Sequence, residues 1–232
     1  EAYGRSEKLK RKTNLILILG CRDSTSKLDP QQKDVFSNIF EMIDIHLDVR
    51  SDIKQDADPD KYSKTLREFH RELWSKQLPN GRYFELSINQ ANVYLYHKSE
   101  MGEYKLASDG IAHSFFYVKR VAHILNKVAQ DELKKILDLY YTIPGFIIFP
   151  GNQINKKVTI NAARGFNARI CDRFDLTLEC IRRYYLGIGN PLQEALERYS
   201  AFFNLFQSFE GYLEFFLLQD MWDNKASKIK FF

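Results

Sequence analysis

Cysteine is scarce in this chain: three residues in 232, at positions 21, 171 and 180, with no CxxC pair. An odd count without that spacing excludes a disulfide framework and suits a reducing compartment in which thiols serve as small apolar side chains. Cys171 and Cys180, if they share a helix, stand about 13 Å apart along its axis, too far to bridge. Long apolar runs are missing as well, the longest being the five residues 15–19. No membrane span is expected, because a spanning helix needs about 18. An excess of one charge is also lacking: 34 Lys plus Arg against 30 Asp plus Glu leave a formal +4, with no block of five like charges. That balance permits a nucleotide or nucleic-acid ligand, but basic residues are not concentrated on one element as in a dedicated nucleic-acid binder.

Local signatures of familiar chemistry are absent. Neither G-x-G-x-x-G nor G-x-x-x-x-G-K-[ST] occurs, and no cofactor is named by any motif. The five histidines, at 46, 70, 97, 113 and 123, include no HExxH or HxxxH. Serine-elbow, kinase and Cys–His signatures are missing too. Asp56, Asp58 and Asp60 imitate the first, third and fifth ligands of a calcium loop, but Lys61 and Arg67 stand where the glycine and bidentate glutamate belong. No metal is expected. The basic stretch Lys8-Leu9-Lys10-Arg11-Lys12 before residues 15–19, Gly20 and Cys21 looks like a lipoprotein signal. An h-region needs at least about 7 apolar residues, so a short buried strand is the preferred reading.

What is present is a chain that is 44% hydrophobic and long enough to bury its own core. The patterning predicts an α+β fold: a small, mostly antiparallel sheet packed against several helices, with an aromatic-rich helical C-terminal third. A helix is expected over 29–45, and another starting at Asp58-Pro59-Asp60, with Tyr62, Leu66, Phe69, His70, Leu73 and Trp74 on one side at helical spacing. Residues 84–88, 93–97 and 103–107 read as a three-stranded meander. Helices are expected over 113–126 and 130–141, and the wholly apolar run 146–149 reads as a central strand with 158–160 as its hairpin partner. A long helix over 168–186 presents Ile170, Phe174, Leu178, Ile181 and Tyr185 on one face, and Asp172, Asp175, Glu179, Arg182 and Arg183 on the other. Helices over 191–207 and 210–222 carry an unusual load of aromatics. No linker or repeat appears, so residues 1–232 are expected to form a single domain.

Two groups of residues stand out as candidates for chemistry. His97 ends a predicted strand beside Glu100, and His113 follows Ser108-Asp109-Gly110. A polar cluster at strand ends is a normal place for a general acid or base, so His97, Glu100, Asp109 and His113 are candidate catalytic residues. The turn from Thr159 to Asn167 offers Asn161, Arg164 and Asn167 as candidate ligand-binding residues, with Arg164 able to fork a phosphate. The plainer alternative for Arg164 is an ion pair with Asp172 or Asp175. His70, on an apolar stripe, is expected to be a satisfied core histidine.

Several stretches are distinctive beyond patterning: Asp58-Pro-Asp-Lys-Tyr-Ser63, Tyr94-Leu-Tyr-His-Lys-Ser-Glu100, Thr159-Ile-Asn161 with Arg164-Gly-Phe-Asn167, Phe215-Phe-Leu-Leu-Gln-Asp220, and above all Asp172-Arg-Phe-Asp-Leu-Thr-Leu-Glu-Cys-Ile-Arg-Arg-Tyr-Tyr185. From about Asp48 to the end, the chain resembles a family of proteins of unknown function encoded in bacterial genomes and prophages; residues 1–47 lie outside the resemblance. It implies a bacterial, cytoplasmic and phage-related setting, and no catalytic residue. Two functions remain in view: an enzyme acting on a nucleotide or nucleic acid, and a non-catalytic module binding a protein partner in phage–host interaction or defence.

Overall fold

The computed structural model describes residues 48, 49, 51, 53, 54, 57–88, 94–110, 123 and 126–230. The expected strand at 15–19, the helix over 29–45 and nearly all of the helix over 113–126 lie outside the described residues. Helix α1 (Pro59–Tyr62) starts where Asp58 accepts a hydrogen bond from the Asp60 N–H at 3.0 Å and Pro59 pre-sets the first turn. Ser63 ends it and caps α2 (Lys64–Trp74) by accepting from the Leu66 N–H at 3.3 Å. The buried side of α2 is Leu66, His70, Leu73 and Trp74, spaced as one stripe of a 3.6-residue helix.

The meander forms as the alternation predicts: β1 (Leu86–Ile88), β2 (Leu95–Ser99) and β3 (Gly102–Gly110), joined by β4 (Phe146–Pro150) into an antiparallel sheet of order β1-β2-β3-β4. In the β2–β3 turn Gly102 has φ +125°, and a Cβ there would meet the Tyr104 hydroxyl at 2.3 Å, so only glycine fits. Residues 146–149 form the expected strand, but the hairpin partner expected at 158–160 does not form. Among the described residues β4 stands last in the sheet order and pairs with β3. Its run is wholly apolar because Ile147, Ile148 and Phe149 are all buried, which happens to a strand covered on both faces. Thr159, expected in its partner strand, instead caps α4 (Ile160–Phe166) by accepting from the Ala162 N–H at 3.2 Å. Between β3 and β4 runs α3 (Gln130–Tyr140).

The helix expected over 168–186 is shorter, α5 (Phe174–Tyr185). Cys171 and Asp172 have φ of +49° and +60°, a left-handed pair that turns the chain between α4 and α5 and leaves Cys171 off the helix. The expected C-terminal helix pair is likewise divided into α6 (Gln193–Arg198), α7 (Ser200–Asn204) and α8 (Phe209–Phe215), followed by a short hairpin of β5 (Trp222–Asp223) and β6 (Lys228–Ile229). Gln207 and Leu217, at φ +63° and +58°, make the breaks around α8. Lys76 closes its C-terminal end, donating to the carbonyls of Glu214 at 2.9 Å and Phe215 at 2.5 Å.

One buried cluster joins α2, the sheet and the C-terminal helices. Trp74 is its hub, with ring centres 4.8 Å from Phe84, 5.8 Å from Phe215, 5.7 Å from Phe216 and 6.1 Å from Phe202. Phe202, Phe203, Phe206 and Tyr212 are fully buried, so the aromatic C-terminal third is core. No helix among the described residues is long and apolar enough to cross a membrane.

Candidate functional site

Strand β2 begins at Leu95, opposite Leu106, whereas β3 continues to Gly110, paired there with β4 among the described residues. Beyond Leu106, no pairing partner for that edge of β3 occurs among the described residues, and the backbone groups of Ser108 are met by side chains. Asp60 supplies one. Its carboxylate accepts from the Ser108 N–H at 2.9 Å and from the Ser108 hydroxyl at 2.7 Å. Asn161 supplies another, its Nδ2 donating to the Ser108 carbonyl at 3.5 Å. Residues from α1, β3 and α4 thus meet at Ser108.

Two buried polar groups at this place are unsatisfied. His70 is 2% exposed, and its Nε2 lies 3.4 Å from Asp60 Oδ1 without hydrogen-bond alignment. Neither ring nitrogen of His70, nor Asn161 Oδ1, has a hydrogen-bond partner among the described residues. Buried polar atoms are nearly always paired, because an unmade bond costs about 1–3 kcal/mol, so each exception needs an explanation. Alongside, the Tyr94 hydroxyl donates to Asp58, and burial, then that bond, hold the phenol proton well above its ordinary range. The ammonium groups of Lys61 and Lys105 lie 5.1 and 4.2 Å from the Tyr94 ring centre.

On the other side of Ser108, Arg164 is fully buried. Its Nε donates to Thr177 Oγ1 at 3.1 Å, one terminal nitrogen to Asp109 at 2.9 Å with Asp172 Oδ1 at 3.4 Å, and the other to the Asp172 carbonyl. The fork expected at a ligand phosphate is thus engaged inside the protein, and of the two ion pairs weighed, Asp172 is the partner. Asp175 pairs with Arg173 instead. The left-handed turn at Asp172 is what brings its carbonyl and carboxylate round to the guanidinium.

Of the sequence-derived candidates, Asp109, Asn161 and Arg164 come together here. Asn167 ends α4, with Oδ1 accepting from the Arg169 N–H at 2.9 Å and Nδ2 donating to the Pro191 carbonyl at 3.0 Å. His97 and Glu100 lie towards the other end of the sheet: His97 pairs with Tyr104, five residues before Asp109 on β3 and so about 17 Å along the strand. Glu100 is exposed and paired with Arg82. His113 lies outside the described residues. Sequence reasoning missed Asp58, Asp60, His70, Tyr94 and Ser108 as a group. The available signal was a histidine inside the stripe Leu66–Leu73–Trp74, since a polar ring carried into a core must find a partner there.

The two histidines differ in satisfaction. His97 Nδ1 accepts from the Glu85 N–H at 2.8 Å, which puts the ring proton on Nε2, 3.0 Å from Ser99 Oγ. Phe84 and Tyr104 cover the ring, with centres at 5.0 and 5.9 Å. Burial lowers its pKa from the ordinary 6.5, against an opposing contribution from the Glu85 carbonyl. Below pH 6.5 the unfolded chain binds a proton that the folded ring resists, so stability is lost as pH falls from there to the lowered folded value, by at most about 1.4 kcal/mol per pH unit. Urea denaturation of the wild type is therefore expected to show a larger stability drop between pH 7 and pH 5 than His97→Gln. Equal drops would remove His97 as the source.

No group of three or more His, Cys, Asp and Glu side chains positioned for a metal ion occurs among the described residues. The arrangement around Ser108 is rich in acceptors: Asp58, Asp60, Asp109, Asp172 and Asn161 Oδ1. Residues 43–232 match the model of DUF6994, a family of unknown function. No curated protein and no solved structure matches the chain.

Proposed function

The chain belongs to DUF6994, and we propose that it is an enzyme acting on a nucleotide or nucleic acid, with His70 and Asp60 transferring the proton. The observation that carries this reading is the contrast between the two buried histidines. His97 has a partner for each ring nitrogen, as a structural histidine should, while His70 has no hydrogen-bond partner among the described residues and stands 3.4 Å from a carboxylate held by Ser108. An imidazole beside a fixed carboxylate is the usual arrangement of a general base, and apo geometry is often loose before substrate tightens it. In this reading Asp60 orients His70, Ser108 positions Asp60, and Arg164 positions Asp109 at the rim of the same cluster. His97, Glu100 and Asn167 are given structural roles. The same proposal treats residues 1–232 as one α+β domain in a bacterial or prophage-related, cytoplasmic setting.

A non-catalytic protein-binding role needs a broad exposed apolar surface. The aromatic helices expected to provide it are buried, and the most exposed large apolar side chain among the described residues is Phe166, at 83%. The enzymatic reading is tested by incubating the protein with nucleoside mono- and triphosphates and with single-stranded RNA and DNA oligonucleotides, and following products by mass spectrometry. At least one substrate should be converted, and His70→Gln and Asp60→Asn should each slow turnover by about 10²–10⁴-fold. Full activity in both variants, or no conversion by the wild type, overturns the reading.

A further inference from the structure

Resting on that enzymatic reading, we infer that the cluster takes the nucleoside end of its ligand, while the phosphate is held outside by Lys61 and Lys105. The groups around His70 are acceptors. Asp60 has a carboxylate oxygen 3.4 Å from the unpartnered ring, Asn161 Oδ1 is buried without a donor among the described residues, and Asp109 lies one residue along β3 from Ser108. The one arginine of the cluster, Arg164, already donates to Thr177, Asp109 and Asp172. A phosphate entering here would face like charges with no cation turned towards it. An exocyclic amine, a ring N–H or a ribose hydroxyl would instead supply the donor that Asn161 Oδ1 lacks among the described residues.

The cations lie one step out along the same chain of contacts. Asp58 and Asp60 stand two residues apart at the start of α1, Asp58 accepts from the Tyr94 hydroxyl, and Lys61 and Lys105 lie against the Tyr94 ring. Neither lysine forms an ion pair among the described residues, and both are partly solvent-accessible. They come from different elements, α1 and β3, so the fold brings them together. A ligand with donors at one end and a phosphate at the other fits this polarity, with its donor end inward.

Calorimetric titration separates the two ends. The ligands are the four ribonucleosides, their 5′-monophosphates and inorganic phosphate, and the proteins are the wild type, the surface double variant Lys61→Ala/Lys105→Ala, and Asn161→Leu. At least one nucleoside should bind without a phosphate, and its 5′-monophosphate should bind about tenfold more tightly. The double variant should lose that gain and leave nucleoside affinity unchanged. Asn161→Leu should weaken nucleoside and monophosphate alike. Binding of monophosphates and inorganic phosphate without binding of any nucleoside would overturn this orientation alone and leave the enzymatic reading standing. An undiminished monophosphate affinity in the double variant would do the same. Binding of neither nucleosides nor monophosphates would overturn this inference, while the enzymatic reading stands or falls on the turnover of triphosphates and oligonucleotides.

Discussion

Arg164→Met is expected to lose about 3–5 kcal/mol of stability, because it removes the cation from a buried ion-pair group and leaves its carboxylates behind. Arg164 is fully buried and holds Asp109 of β3, Asp172 of the α4–α5 turn and Thr177 of α5 at once. Methionine has a similar length and keeps the apolar packing of the arginine stem, so the loss measures the polar group rather than a cavity. Asp172 is itself buried and has no solvent to turn to. Asp172→Asn in the Arg164→Met background should therefore be less damaging than the two single effects added, by at least about 1 kcal/mol. Arg164→Lys keeps a charge but cannot reach three partners in one plane, and should fall between wild type and Arg164→Met. Urea denaturation at neutral pH reads all four proteins, and a loss under about 1 kcal/mol in Arg164→Met would mean that the network contributes little.

Trp74→Ala should be as severe, at about 3–5 kcal/mol, for an apolar reason. The indole touches Phe84 beneath the sheet and Phe202, Phe215 and Phe216 of the C-terminal region, so its removal leaves a gap between layers that cannot collapse from one side. Trp74→Phe should be much milder, within about 1.5 kcal/mol. The indole N–H is buried and has no acceptor among the described residues, so phenylalanine removes an unsatisfied donor while losing some contact area. The check is the denaturation midpoint at unchanged slope. Equal losses in the two variants would show that the indole N–H has a partner after all.

Both residues illustrate what was legible. Trp74 was readable because its spacing from Leu66, His70 and Leu73 placed it on one stripe, and a stripe of that composition has only one place to go. Arg164 was readable as important but not as to its role. A strand-to-helix turn bearing an arginine looks the same whether the guanidinium faces a ligand or folds back on Asp172. The decision came from a left-handed backbone pair at Cys171 and Asp172 that no glycine advertises. The strand expected at 158–160 failed for a comparable reason. Val158-Thr159-Ile160 is β-favouring in isolation, but Thr159 has an N–H three residues ahead to accept, and capping won.

The histidines show the limit most clearly. His97 stands at a strand end with polar neighbours and invited a chemical role, while His70 stands among leucines and invited a packing one. The alternation of β2 could not reveal that Glu85, twelve residues earlier, would return to satisfy His97. Helical spacing could not reveal that Asp60 would bind Ser108 across 48 residues of chain and leave His70 beside it.

By itself the sequence determined the α+β class, the meander, the capped start of α1 and the aromatic core, because these follow from periodicity and from contacts a few residues apart, whereas the break at Ser63 that divides α1 from α2 was not among them. Only the tertiary structure decided the pairing of β4 with β3, the inward turn of Arg164 and the gathering of Asp58, Asp60, His70, Ser108 and Asn161. Those depend on contacts between residues far apart in the chain, 48 positions for Asp60 with Ser108 and 53 for Asn161 with Ser108, which exist only after strands and helices have packed.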